Sequence, residues 1–215
     1  MTVDSQRPEV VLFDLGGVVC QFDPDRRAAR LAEAMGVTPG DVSALVFESG
    51  FDEECDLGTY SETEILERFR SFGFREDLHV LRRHWISAFE PVAGLIDLAS
   101  ELRADGVTVA TFTDNGPVLL AVVDSLLPRR AFDQHVFSCM LGATKPDAEA
   151  FRAGLALLNA SAPDVFFVDD KAQNINSART LGIRAEQAST ADEVESALRS
   201  VGLLDSVPRR TRSSQ

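Results

Sequence analysis

The chain has 215 residues, 45% of them hydrophobic and 26% charged, which suffices for one sizeable core and an insertion. Its 21 basic and 34 acidic side chains give a net charge of -13, which argues against a nucleic-acid partner and means that any phosphate site must concentrate positive charge locally. No apolar run reaches the roughly 18–20 residues of a membrane helix, and the N-terminal MTVDSQRPEV lacks the basic and apolar parts of a signal peptide, so the expectation is no membrane partner and a cytoplasmic location.

In chain order, residues 10–15 (VVLFDL) read as a first buried strand. The segment from about 22 to 89 shows no convincing strand, and its apolar residues keep helical spacing. Ser61 followed by Glu64 is a capping-box start for one helix, and Asp41 is placed to cap or precede another. Four more strands are expected at 107–113, 135–139, 165–169 and 183–187, with helices at about 92–105, 117–126, 147–158, 173–181 and 190–200. Within the first of these helices Leu95, Leu98 and Leu102 share one face. This alternation implies an α/β fold, a Rossmann-like parallel sheet built from 1–21 and 90–205. Residues 22–89 are then an inserted helical cap beside the carboxyl end of the first strand, and 206–215 a fraying tail. Cys20, Cys55 and Cys139 are odd in number and widely spaced, so they read as reduced, buried thiols.

Four segments carry chemistry: VVLFDLGG with Asp14, VATFTDNG with Thr113, GATKPDAEAF with Lys145, and VFFVDDKAQN with Asp169 and Asp170. A parallel sheet presents ligands at the carboxyl ends of its strands, so these distant residues are expected to meet at one edge. Adjacent carboxylates at a strand end stay charged only beside a cation or good donors, and hard oxygen ligands suit magnesium. The blander reading of Asp170 is a cap for the next helix, and of Thr113 likewise. Lys145 lies near a helix start, against the dipole, which suggests a pairing with Asp14. The chain has only two lysines, Lys145 and Lys171, and both fall inside these motifs.

The same residue types occur in receiver domains, but there the acidic pair precedes the phosphoacceptor aspartate, and here it comes last. The order resembles that of the haloacid dehalogenase-like hydrolase superfamily over nearly the whole chain, through FDLGGVV at 13–19, FTDNG at 112–116, TKPDAEAF at 144–151 and FFVDDKAQNINSARTLGI at 166–183. Within it, the chain looks most like the branch of sugar-phosphate phosphatases and the N-terminal phosphatase domain of epoxide hydrolase. The resemblance implies a Mg2+-dependent phosphohydrolase acting on a small phosphorylated metabolite, a phosphomonoester, through an aspartyl-phosphate, as a monomer or homodimer. It makes Asp14 nucleophile and metal ligand, the Gly16 carbonyl and Asp170 further ligands, and Asp169 a holder of metal-bound water or of Lys145. Thr113, Asp114, Asn115 and Lys145 become the substrate-binding set, with Thr113 and Lys145 on the phosphoryl group. Two positions depart from the pattern. Gly16 stands where such phosphatases carry a second aspartate as proton donor, leaving Asp23 and Asp25 as nearby substitutes. Asp114 stands where asparagine is common, which shifts substrate contact toward Asn115. The rival readings are a metal-independent dehalogenase and a catalytically weak binding or regulatory protein that retains the site. Among cap residues, Phe47, Phe51, Glu54 and Tyr60 either face the site or form the cap core.

Overall fold

The structure is a computed structural model that describes residues 7–205, so the tail expected at 206–215 lies outside the described residues. Five parallel strands form one sheet in the order β5 (Gln134–Phe137), β4 (Thr108–Thr113), β1 (Val10–Phe13), β6 (Val165–Asp169), β7 (Arg184–Gln187). All four residues of β1 are buried, as suits a central strand covered on both faces. Alternation splits them: Val11 and Phe13 join one apolar cluster, Val10 and Leu12 the other. Helices α6 (Ala93–Ala104) and α12 (Ala191–Ser200) contribute to the first cluster, α10 (Ala148–Leu157) and α11 (Ala172–Thr180) to the second. The fold is α/β and Rossmann-like.

Between β1 and α6 the chain leaves the sheet. A short antiparallel pair, β2 (Cys20–Phe22) with β3 (Phe89–Pro91), brackets five α-helices and one π-helical turn (Ala44–Glu48): α1 (Pro24–Met35), α2 (Pro39–Ser43), α3 (Phe51–Asp56), α4 (Glu62–Ser71) and α5 (Leu78–Ile86). The two strands bracket 22–89 rather than interrupt it: only Phe22 and Phe89 fall inside that segment, which holds no other strand. Each is three residues long with one buried position, too short to display alternation. Their Phe22 and Phe89 rings pack with centroids 5.0 Å apart. Inside the helical part, Phe69 packs edge-on against Trp85, Phe74 and Phe51.

The capping box at Ser61 and Glu64 is present, with the Ser61 hydroxyl accepting from the Glu64 N–H. A second one corrects the assignment at Asp41: Thr38 is the cap, Pro39 opens α2, and Asp41 is the third helical residue reaching back to the Thr38 N–H. The helix expected at 117–126 is two short ones, α7 (Pro117–Leu120) and α8 (Val123–Leu126), because the backbone leaves helical geometry at Val122. A last short helix, α9 (Ser138–Leu141), follows β5 directly. No helix among the described residues is long and apolar enough to cross a membrane.

Candidate active site

The strand register decides what meets. Phe13 pairs with Thr111 on one side and Val168 on the other, so Asp14, one residue on, lies level with Phe112 and Asp169. Lys145, from the loop before α10, closes the gap between them. Its Nζ donates to Asp14 Oδ1 at 2.8 Å, to Asp169 Oδ2 at 2.9 Å and to the Phe112 carbonyl at 2.9 Å. All three donor protons are thereby used. Burial opposes this ammonium, but Asp14, Asp169 and Asp114 outweigh it and hold its pKa above the ordinary lysine value. Asp14 is pushed up to about 6 by burial, against the pull of Lys145 and with a further push from Asp169.

The three carboxylates Asp14, Asp169 and Asp170 each bring an oxygen within 4.8 Å of the others. Their hydrogen bonding sets them apart. Both Asp169 oxygens are engaged, Oδ1 by the Lys171 N–H at 2.8 Å and Oδ2 by Lys145, with the Asn174 amide donating to each. Asp14 Oδ1 accepts from the Leu15 N–H and from Lys145. Asp170 Oδ1, in contrast, is buried with no hydrogen-bond partner among the described residues. It does not cap α11, whose first flanking residue is Lys171 and has no side-chain cap. A buried, unpartnered carboxylate oxygen is costly unless a cation completes it, so the donor set fits a hard metal ion. Gly17 adds to this: at φ +91° a Cβ there would stand 2.7 Å from the Asp170 carboxylate. The absence of that methyl is what lets Asp170 lie where it does.

Thr113 is buried at the end of β4, and its hydroxyl oxygen accepts from the Asn115 side-chain amide at 2.7 Å. The hydroxyl proton is left free to donate. The Asn115 N–H donates to the Ser138 hydroxyl at 3.0 Å, so Asn115 shapes the turn. Asp114 is turned toward the third motif, its Oδ1 accepting from the Lys145 N–H at 3.0 Å; burial raises its pKa, and Lys145 opposes that shift.

These groups line a cavity of about 200 Å3 together with Gly16, Phe22, Phe89, Arg27, Asp52, Asp56 and Lys171. Several cap residues land elsewhere. Phe51, Glu54 and Tyr60 line a separate hollow with Ser49, Glu64 and Arg68, and Phe47 lies under the Arg27 guanidinium. Asp23 caps α1 by accepting from the Arg26 N–H, Asp25 is exposed in the first turn of that helix, and neither lines the cavity, which removes both as substitutes for the missing acid. Lys171 is exposed yet stands at the cavity wall.

Arg27 went unnoticed in the sequence. It is 2% exposed, with its guanidinium 4.2 Å from the Trp85 ring centroid and Nη2 3.5 Å from Asp52 Oδ2. A signal existed: Arg27 falls on the same helical face as Ala28, Leu31 and Ala32, where an arginine is out of place. Cys20 and Cys55 are buried and Cys139 half-buried; none is in a disulfide.

The model of the haloacid dehalogenase-like hydrolase family matches residues 8–182. Among curated proteins, the chain is 28% identical over 157 residues to the Arabidopsis thaliana protein named flavin mononucleotide hydrolase 1, covering 73% of this chain and 64% of that one. It is 27% identical to phosphatase MT3486 of Mycobacterium tuberculosis over 90% of this chain and 95% of that protein. The chain thus spans less than two thirds of the plant relative. Among solved structures, the HAD family enzyme BT-2542 of Bacteroides thetaiotaomicron, crystallised with magnesium and inorganic phosphate, shares the fold at a TM-score of 0.68, with 19% identity over 84% of this chain and 93% of that one. The family match takes in every motif that meets around Asp14, and by it the chain belongs to the haloacid dehalogenase-like hydrolases.

Proposed function

We propose that this hydrolase is a magnesium-dependent phosphatase that cleaves small phosphomonoesters through phosphorylation of Asp14. The observation that carries the reading is the division of labour among the carboxylates. Asp169 is saturated by donors and fixes Lys145, whereas Asp170 keeps a buried oxygen without a partner. Asp14, Asp170 and the Gly16 carbonyl would hold magnesium. When bound, the ion draws charge from the phosphoryl oxygens and offsets the repulsion between substrate and carboxylates. The mycobacterial relative named as a phosphatase and the plant relative named as a flavin mononucleotide hydrolase support the same direction.

The chain's own residues supply the rest. Lys145 orients Asp14 by holding Oδ1, so the other carboxylate oxygen faces the phosphorus. The Thr113 hydroxyl donates to a phosphoryl oxygen, and the Lys145 charge stabilises the negative charge gathering there. The Asp14 oxygen bonds to phosphorus as the ester oxygen leaves; water then attacks the phosphorus and frees Asp14. A cavity of about 200 Å3 is below the usual range for ligand sites, which suits a small phosphomonoester.

The deciding experiment is turnover of a panel of phosphorylated metabolites before and after exhaustive chelation, with magnesium added back. Activity that vanishes with chelation and returns with magnesium is expected, together with a beryllium fluoride adduct on Asp14. Undiminished turnover without metal would instead favour dehalogenation.

A further inference from the structure

Gly16 leaves the core without a proton donor for the ester oxygen, and Asp23 and Asp25 lie outside the cavity. Four aspartates do line it: Asp14, Asp52, Asp56 and Asp114. Three are committed, Asp14 to Lys145, Asp114 to the Lys145 N–H, and Asp52 to Arg27. The Asp56 carboxyl makes no hydrogen bond or ion pair with any described residue.

Its backbone, in contrast, is held firmly against the core. The Ser138 hydroxyl donates to the Asp56 carbonyl at 2.6 Å, and the Ser138 hydroxyl oxygen in turn accepts from the Asn115 N–H. Two glycines permit the close approach around it. A Cβ at Gly58 would stand 2.3 Å from the Cys139 carbonyl oxygen, and one at Gly116 3.0 Å from the Cys55 carbonyl oxygen. The end of α3 is thus pinned beside the turn that carries Thr113, with a free carboxyl in the cavity wall.

We propose that Asp56, delivered by the cap, is the catalytic residue that protonates the leaving oxygen and later accepts a proton from water. This rests on the phosphatase reading above. In the first step Asp14 bonds to phosphorus, the phosphorus–ester oxygen bond breaks, and the Asp56 proton goes to that oxygen to give an alcohol. In the second, water bonds to phosphorus, its proton goes to Asp56, and the bond to Asp14 breaks to release inorganic phosphate. Asp56 ends protonated, as it began.

The surroundings suit this role. Burial, followed by Asp52 and Asp114, pushes the Asp56 carboxyl up to about 8, while Arg27 and Lys171 pull the other way. Cys55 on the same helix and Cys139 on α9 are both thiols held above their ordinary value by burial, so they are neutral there. At neutral pH the acid therefore carries its proton.

The test compares Asp56→Asn with wild type on β-glycerophosphate and p-nitrophenyl phosphate, both with magnesium. The variant should lose about 10²–10³-fold in kcat on the alkyl ester, whose leaving group needs the proton. On the aryl ester it should release one equivalent of nitrophenolate per site in a burst near the wild-type rate, then turn over slowly, since only the water step lacks its base. Wild-type activity on the alkyl ester should fall above about pH 8, and that limb should be absent in the variant. Asp56→Glu should recover part of the rate. Equal losses on both esters without a burst, or an alkaline limb that persists in Asp56→Asn, would overturn the assignment. Failure of the wild type to hydrolyse either ester, or any other phosphomonoester, would instead overturn the phosphatase reading and this assignment with it.

Discussion

Substituting Gly17 by alanine tests the metal reading by displacing Asp170 without replacing any proposed ligand. The Cβ would lie 2.7 Å from both the carboxyl carbon and Oδ2 of Asp170, whereas ordinary contact begins at 3.4 Å. The carboxylate must therefore retreat by about 0.7 Å, the difference between those two distances. Magnesium demands near-octahedral oxygen coordination at about 2.0–2.1 Å, and ligand distances tolerate only about ±0.2 Å. The displacement exceeds that tolerance about threefold. The φ of +91° adds backbone strain of about 1–2 kcal/mol on its own account. Gly182→Ala serves as the control, since its φ of +81° carries the same kind of strain but its Cβ meets nothing within 4 Å. Both variants should lose a few degrees of melting temperature. Only Gly17→Ala should need at least about 10-fold more magnesium for half-maximal activity, and only it should lose the melting-temperature rise that magnesium gives the wild type. Equal magnesium requirements in Gly17→Ala and wild type would refute the placement of the ion at Asp170.

Lys145→Ala should cut kcat/KM by at least about 10²-fold, since the ammonium holds Asp14 and Asp169 together, while Lys171→Ala, exposed at the cavity wall, should raise KM by less than about 10-fold and leave kcat near wild type; steady-state kinetics separate the two. Gly16→Asp should fold normally, because its Cβ would meet Phe22 and Phe89 at 3.5 and 3.6 Å, ordinary contact distances. It should add little to wild-type activity on alkyl phosphates, yet recover at least about 10-fold in an Asp56→Asn background, as measured by kcat. Asp56→Asn should also change the pH dependence of stability. The folded carboxyl, raised to about 8 from 3.8, binds a proton that the unfolded chain has released between those values, so the wild type loses stability as pH rises through that window. The asparagine variant escapes the loss. Its stability relative to wild type should grow by up to about 1.4 kcal/mol per pH unit and level off above pH 8, as read by urea denaturation.

Much of this was legible because a buried parallel strand writes itself as an unbroken apolar run. VVLF and VFFV each end at an aspartate, and parallel pairing then leaves Asp14 and Asp169 little choice but to meet. Lys145 was legible through its rarity. Features governed by tertiary contact were not. The β2–β3 pair has no local period to show, and Val122 breaks a helix inside PVLLAVVDSLL, where continuous apolarity hides the phase. At α2 the proline at the first helical position moved the cap to Thr38, three residues before the aspartate that looked like the start. In the cap, aromatic side chains drew attention toward Phe51 and Tyr60, whereas α3 turns Asp52 and Asp56 to the cavity. Which face of a short helix points at a distant strand end is set by where that helix docks, and spacing within it cannot tell.

Ser138 gives the molecule a thermodynamic link between its two parts. One buried hydroxyl donates to the Asp56 carbonyl of the cap and receives the Asn115 N–H of the turn that also steadies Thr113. Whatever improves the docking of α3 therefore also tightens the turn that carries Thr113, and by reciprocity whatever orders that turn strengthens the hold on α3. Occupancy of the core site and closure of the cap are in that sense one equilibrium read from two ends. Ser138 carries part of the coupling between them through one side chain, and removing its oxygen should weaken that coupling while the close approaches at Gly58 and Gly116 persist.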